Sequence, residues 1–308
     1  MKLDDNILNQ LFDLSKNFVD VELKDYNYSN DIKHLLYIII PAFIIKYGFD
    51  NRNKITKAFT LVPFLEKESD EKRLQAYYAS VPVSVGPQIV TKKFIVLNRY
   101  QDKPLMELID NIVHEYNHAV NSINDEIKFD KDNIYVRTGL AFIRYNRNDY
   151  KDNNKEDSYI LEEIINTKQT EEIIDIINSF NKYNINDEQI STTLYNIDKY
   201  ISGKYASEAY MFQSALCKEL MNNNTLISVL SNMRFQGIID EIPYFFDNVT
   251  GIEDSYNKLI KILNESVKLE EEYSKKKFFK RKIIRNVLKL YGEAKEIIDT
   301  FNRNYHFK

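Results

Sequence analysis

The pattern of apolar and polar positions divides the chain into a mixed first half and a helical second half. Residues 1–70 read as an amphipathic helix beginning MKLDDNILNQLF, an apolar element and a further helix. The apolar element, LLYIIIPAFII from Leu35 to Ile45, is well short of the ~20 residues that span a bilayer. Pro41 interrupts it, so a buried core element is expected and no membrane span. Two stretches rich in aromatic and β-branched residues follow, LQAYYASVPVSV (Leu74–Val85) and KKFIVLNRY (Lys92–Tyr100), and predict strands around a turn at Gly86 and Pro87. Asp102 and Pro104 mark a helix start, and DKPLMELIDNIVHEYNHAVNSI continues without a breaker to Ile123. After a polar segment, YVRTGLAFIRYN (Tyr135–Asn146) reads as one strand. The charged, asparagine-rich RNDYKDNNKEDS reads as a loop leading into a second strong helix, YILEEIINTKQTEEIIDIINSF. From Tyr205 onward the pattern is nearly all helical, and no internal repeat is found. The fold class expected is α+β.

The helix that ends near Ile123 carries HEYNH, His114 to His118. At 100° per residue, Leu105, Leu108, Ile109, Ile112, Tyr116, Val120 and Ile123 form one apolar stripe. His114 and His118 fall roughly opposite its centre, with Glu115 to the side. Histidines packed into a core would sit on the stripe. At positions i and i+4 the two imidazoles point the same way with Cβ atoms about 6 Å apart, close enough to share one ion. The bland alternative is a solvated helix face bearing two histidines and a glutamate. The chain contains only 4 histidines, which makes the coincidence of two in one pentapeptide more telling.

A catalytic zinc site takes three protein ligands and keeps a position for water. The other histidines, His34 and His306, lie near the two ends, so a carboxylate is the natural third donor. LEEIINT on the next strong helix offers Glu162 and Glu163. HEYNH followed on a second helix by such a carboxylate resembles the gluzincin class of bacterial zinc metallopeptidases, over roughly Lys92 to Ile177. Matched to the class's L-N-E-A-I pattern, LEEIINT makes Glu163 the ligand, with Thr167 where the class has an acidic residue. The competing register makes Glu162 the ligand and Asn166 the group that orients a histidine. The helical wheel places both glutamates on either side of the direction opposite the apolar face and does not choose between them.

The resemblance implies a zincin-like small sheet with the HExxH helix in a catalytic domain over residues 1–200, and a helical subdomain over 201–308. It implies Zn2+ as cofactor, a peptide or protein substrate, and Glu115 as the general base acting on a metal-activated water. Relatives often supply a tyrosine or histidine to the oxyanion, and Tyr205 in KYASEAY is the candidate for that role. The strand FIVLN before the motif helix would be an edge strand able to pair with an extended substrate, with an interior strand as the alternative. RTGL, Arg137 to Leu140, is a candidate cleft element, or a plain strand bend. A different class of function also fits: a non-catalytic zinc-binding regulator or interaction protein. A His₂–carboxylate set would also suit iron or manganese.

Composition narrows this picture little. The net charge of −4 gives no whole-molecule reason to expect nucleic-acid binding. One cysteine, Cys217, excludes an internal disulfide and a Cys₂ zinc site, and its helical setting predicts a buried structural thiol. The N-terminus lacks a secretory apolar region, so the cytoplasm is the expected compartment. KKKFFKRK, Lys275 to Lys282, is the strongest basic run and is expected as a solvated helix face with Phe278 and Phe279 turned into the core.

Overall fold

Helix α1 (Asp5–Val21) begins where the Asp4 side chain accepts the Ile7 N–H at 2.9 Å, satisfying one of the amides that a helix start leaves open. Its Leu8, Leu11, Phe12 and Val19 are buried, on the apolar face. A computed structural model describes residues 3–68, 76–99, 105–123, 127–149, 153–155, 158–198, 214–275 and 280–305. The expected apolar element is helix α2 (Asn30–Tyr47), with Pro41 inside it and buried residues on all sides from Leu35 to Ile44. Helix α3 (Arg52–Leu61) follows. Among the described residues, no single helix is long and apolar enough to cross a membrane.

The chain forms two compact units, and the protein is α+β. The first comprises Met1–Ile123 and Gln169–Tyr205. Its sheet has the order β1-β3-β2, from β1 (Phe64–Glu68), β2 (Ala76–Val85) and β3 (Gln88–Arg99). β2 and β3 are an antiparallel hairpin turning at Gly86, whose φ of +59° suits a residue without a Cβ. β1 runs parallel to β3, so the FIVLN strand is interior and not the edge strand. Helix α4 (Leu105–Asn121) packs against α2, α3, β2 and β3 and against α6 (Glu188–Asp198). Asp102 and Pro104 lie outside the described residues.

The second unit comprises Asn124–Lys168 and Ala206–Lys308. Residues 124–168 thus group with the C-terminal helices. The sheet runs in order through β4 (Ile127–Phe129), β5 (Asn133–Thr138), β6 (Ala141–Asn146) and β7 (Asn153–Lys155), each antiparallel to the next. YVRTGLAFIRYN is therefore a hairpin and not one strand. The chain reverses at Gly139, with φ of +62°, and Thr138 pairs with Ala141 across the turn. Helix α5 (Tyr159–Ser179) is unbroken: its first turns belong to this unit and its remainder, from Gln169, to the first. Helices α7 (Ala215–Met221), α8 (Asn224–Gln236), α9 (Ile242–Thr250), α10 (Ser255–Lys275) and α11 (Lys280–Tyr305) complete it. Leu161, Ile164 and Ile165 of α5 join their core with Leu216, Leu230, Phe246 and Phe301. Cys217 is buried there, as expected. On α11, Lys280, Arg281 and Lys282 are exposed, while Phe278 and Phe279 lie outside the described residues.

Candidate metal centre

Helix α4 is buried around almost its whole circumference. From Leu108 to Ile123, only Asp110 and His114 are more than marginally open to solvent. The polar side opposite the apolar stripe is therefore not a wet face. Glu115 is 8% exposed and His118 is 5% exposed. Burial of this kind is costly for polar groups unless each is hydrogen-bonded or bound to an ion.

The two inward residues of HEYNH anchor the helix. Tyr116 donates to the Val62 carbonyl at 3.1 Å, and its ring packs on Phe59 and Phe64. Burial raises its phenol well above the ordinary tyrosine range, so it stays neutral. Asn117 has Oδ1 bonded by the Tyr47 hydroxyl and by Asn121 Nδ2, the latter at 3.2 Å. Its own Nδ2 donates to Gln169 Oε1 at 3.3 Å, tying α4 to α5. With these fixed, the remaining three members present their functional groups elsewhere.

The rings of His114 and His118 stand edge to face with centroids 5.1 Å apart. Tyr78 of β2 lies nearly parallel to His118, at 6.2 Å and 15°. The main-chain N–H of Tyr78 donates to Glu115 Oε2 at 2.6 Å, which orients the carboxylate and leaves Oε1 outside that bond. Because that N–H serves Glu115, it points away from β3. β2 thus turns the Tyr78 amide toward Glu115.

Glu163 completes a three-residue group. Ligand atoms of His114, His118 and Glu163 all lie within 4.8 Å of one another, and Glu163 is 8% exposed. A tetrahedral ion with bonds of ~2.0–2.1 Å takes donors about 3.3 Å apart. Two imidazoles and one carboxylate are a donor set suited to zinc, iron or manganese.

Glu162 is differently employed. It is fully buried and forms an ion pair with Arg234, also fully buried, while the Leu140 N–H donates to its Oε2 at 2.8 Å. Asn166 accepts from the same Arg234 Nη2 at 2.7 Å. The adjacent glutamates are thus distinguished by partners that lie far away in sequence. Tyr205 lies outside the described residues.

Several members of this surrounding were not singled out from the sequence. Arg234 is the only charged residue of α8, NTLISVLSNMRFQ, which is the signal that marks it. Tyr78 acts through its backbone, which leaves no mark in side-chain patterns. Asn117 and Asn121 repeat at i, i+4 on α4, a polar row on a buried helix. Compared with protein-family models, with curated proteins and with solved structures, the chain matches none.

Proposed function

We propose that this chain is a zinc-dependent metallopeptidase of gluzincin type with a zincin-like arrangement of its sheet and HExxH helix. The observation that carries the reading is the convergence of His114, His118 and Glu163, with Glu115 held beside them by the Tyr78 amide. His114, His118 and Glu163 would hold the ion. Zinc bound there would supply Lewis acidity, polarising a substrate carbonyl and bringing the pKa of water from ~15.7 toward 7.

Glu115 is one residue past the first histidine and is restrained through one oxygen. Its other oxygen would take the proton from the attacking water and return it to the leaving amine nitrogen. The Tyr78 N–H holds one oxygen of that carboxylate. A peptide substrate would present its scissile bond to Glu115.

Elemental analysis of purified protein tests the site. About one zinc per chain is expected in the wild type and in Glu115→Gln, and none in Glu163→Gln. Peptide hydrolysis is expected in the wild type and should be abolished in Glu115→Gln. A wild type that takes up no metal after zinc is added back would sink the reading. A wild type that binds zinc, with no turnover that depends on Glu115, would favour a non-catalytic zinc-binding protein.

A further inference from the structure

The buried arginine of α8 does more than hold the second unit together. Arg234 Nη2 bonds the Glu162 carboxylate and Asn166 Oδ1, two groups four residues apart and so in one row along α5. The Leu140 N–H takes the other Glu162 oxygen at 2.8 Å. Arg137 secures the surroundings, donating from Nε to the Gly139 carbonyl at 2.8 Å and from Nη2 to the Arg234 carbonyl at 3.0 Å. The first turns of α5 are therefore gripped from α8 and from the β5–β6 turn at once.

Stability alone is a weak reason for this arrangement. A buried ion pair is often matched or bettered by well-packed apolar residues, because both charges must be stripped of water. The polar clamp adds contacts of fixed direction to the packing of Leu161, Ile164 and Ile165. Glu163 is one residue beyond Glu162 and so ~100° around α5. A clamp on residues 162 and 166 fixes the direction in which Glu163 leaves the helix.

We propose that Arg234 is the positioning residue for Glu163. By engaging Glu162 and Asn166 it gives the two neighbouring glutamates separate tasks: Glu162 is retained as its counter-ion and Glu163 is presented to His114 and His118. The assignment presupposes the metal site proposed above. Partners that orient metal ligands are typically worth 10–100-fold in affinity, and the same scale is expected here.

The test compares full-length wild type, Arg234→Met, Arg234→Lys and the double variant Arg234→Met/Glu162→Gln. Zinc affinity is read by chelator competition, coordination by the visible spectrum of the Co2+-loaded protein, and folding by circular dichroism and urea titration. Arg234→Met should lose about 10–100-fold in zinc affinity, with a cobalt spectrum altered from wild type. Arg234→Lys, which keeps a cation opposite Glu162, should fall between the two.

The double variant removes the stranded carboxylate charge and should regain stability without regaining affinity. It also carries the test if Arg234→Met does not fold. Affinity that returns together with stability would reduce Arg234 to a structural residue. A folded Arg234→Met with wild-type affinity and spectrum would likewise overturn the proposal while leaving the metal site intact. A wild type that binds neither zinc nor cobalt would remove the site itself.

Discussion

Replacing Gly139 with alanine measures how tightly the β5–β6 turn and helix α5 are fitted together. Gly139 has φ of +62°, and a Cβ built there would fall inside the Glu162 carboxylate. Gly251, at the end of α9, has nearly the same backbone, φ of +68°, but a Cβ there meets nothing within 4 Å. The two substitutions share a backbone penalty of ~1 kcal/mol for placing an L residue in the left-handed region. Only Gly139→Ala must also push the Glu162 carboxylate aside. That strips it from the Leu140 N–H and disturbs its pairing with Arg234, in a place where no water can replace either partner. A buried group left without its hydrogen bond costs ~1–3 kcal/mol, and breaking a buried ion pair costs ~3–5 kcal/mol. Because the carboxylate can shift without losing both partners completely, about 3 kcal/mol beyond the backbone penalty is expected. Against a typical total of 5–15 kcal/mol this is a large fraction. With no tryptophan and 22 tyrosines, urea unfolding is followed by tyrosine fluorescence together with circular dichroism. Equal midpoints for Gly139→Ala and Gly251→Ala would refute the fit of Glu162 against the turn.

Two further outcomes follow from single residues. Burial, with a smaller contribution from the charge of Glu270 and against hydrogen bonding with Ser214, pushes the Cys217 thiol up to about 11. At pH ~8 only about one molecule in a thousand is thiolate, so a thiol reagent should label the protein only after urea is added; stoichiometric labelling of folded protein within minutes would contradict the burial. Burial acts against the charge of Asp187, but hydrogen bonds from Lys16 and the Ile190 amide, the charge of Lys16 and the Gln189 amide outweigh it and hold the carboxyl below 3.8. A depressed carboxyl stabilises the fold above its unfolded pKa and loses that contribution as pH falls through the folded value. Asp187→Asn should therefore cost up to ~1 kcal/mol near neutrality, and the gap to wild type should close below about pH 4. A gap that widens on acidification would contradict the sign.

The sequence was informative where one segment's own pattern decides its state. The hairpin turning at Gly86, helices α1 to α3 and the helix carrying HEYNH all follow from local periodicity and turn chemistry. It was silent where a distant partner decides. β1, FLEKE, has no strand alternation and is a strand because β3 pairs with it in parallel. The same parallel pairing makes β3 interior, which local pattern does not disclose. YVRTGLAFIRYN reads as continuous because its two halves share one composition, and only the left-handed backbone at Gly139 breaks it. The choice between Glu162 and Glu163 was open because both stand at similar angles from the apolar face of α5. The partner that separates them, Arg234, is 72 residues from Glu162.

The order in which the chain contributes to its two units has a consequence for biogenesis. The first unit receives residues up to Ile123, is interrupted, and is finished only by Gln169–Tyr205. During synthesis the paired histidines of α4 therefore emerge before the stretch that closes their own unit, and Glu163 arrives within the interruption. Early folding has to wait for contacts between segments well separated along the chain, the kind that slow a folding reaction. No single peptide bond can be cut to release either unit whole. A truncation at residue 200 would remove the last part of one unit and most of the other, so expression of either half should yield insoluble or unfolded material. Co-expressed overlapping fragments would be the sensible route to reconstituting the protein from pieces.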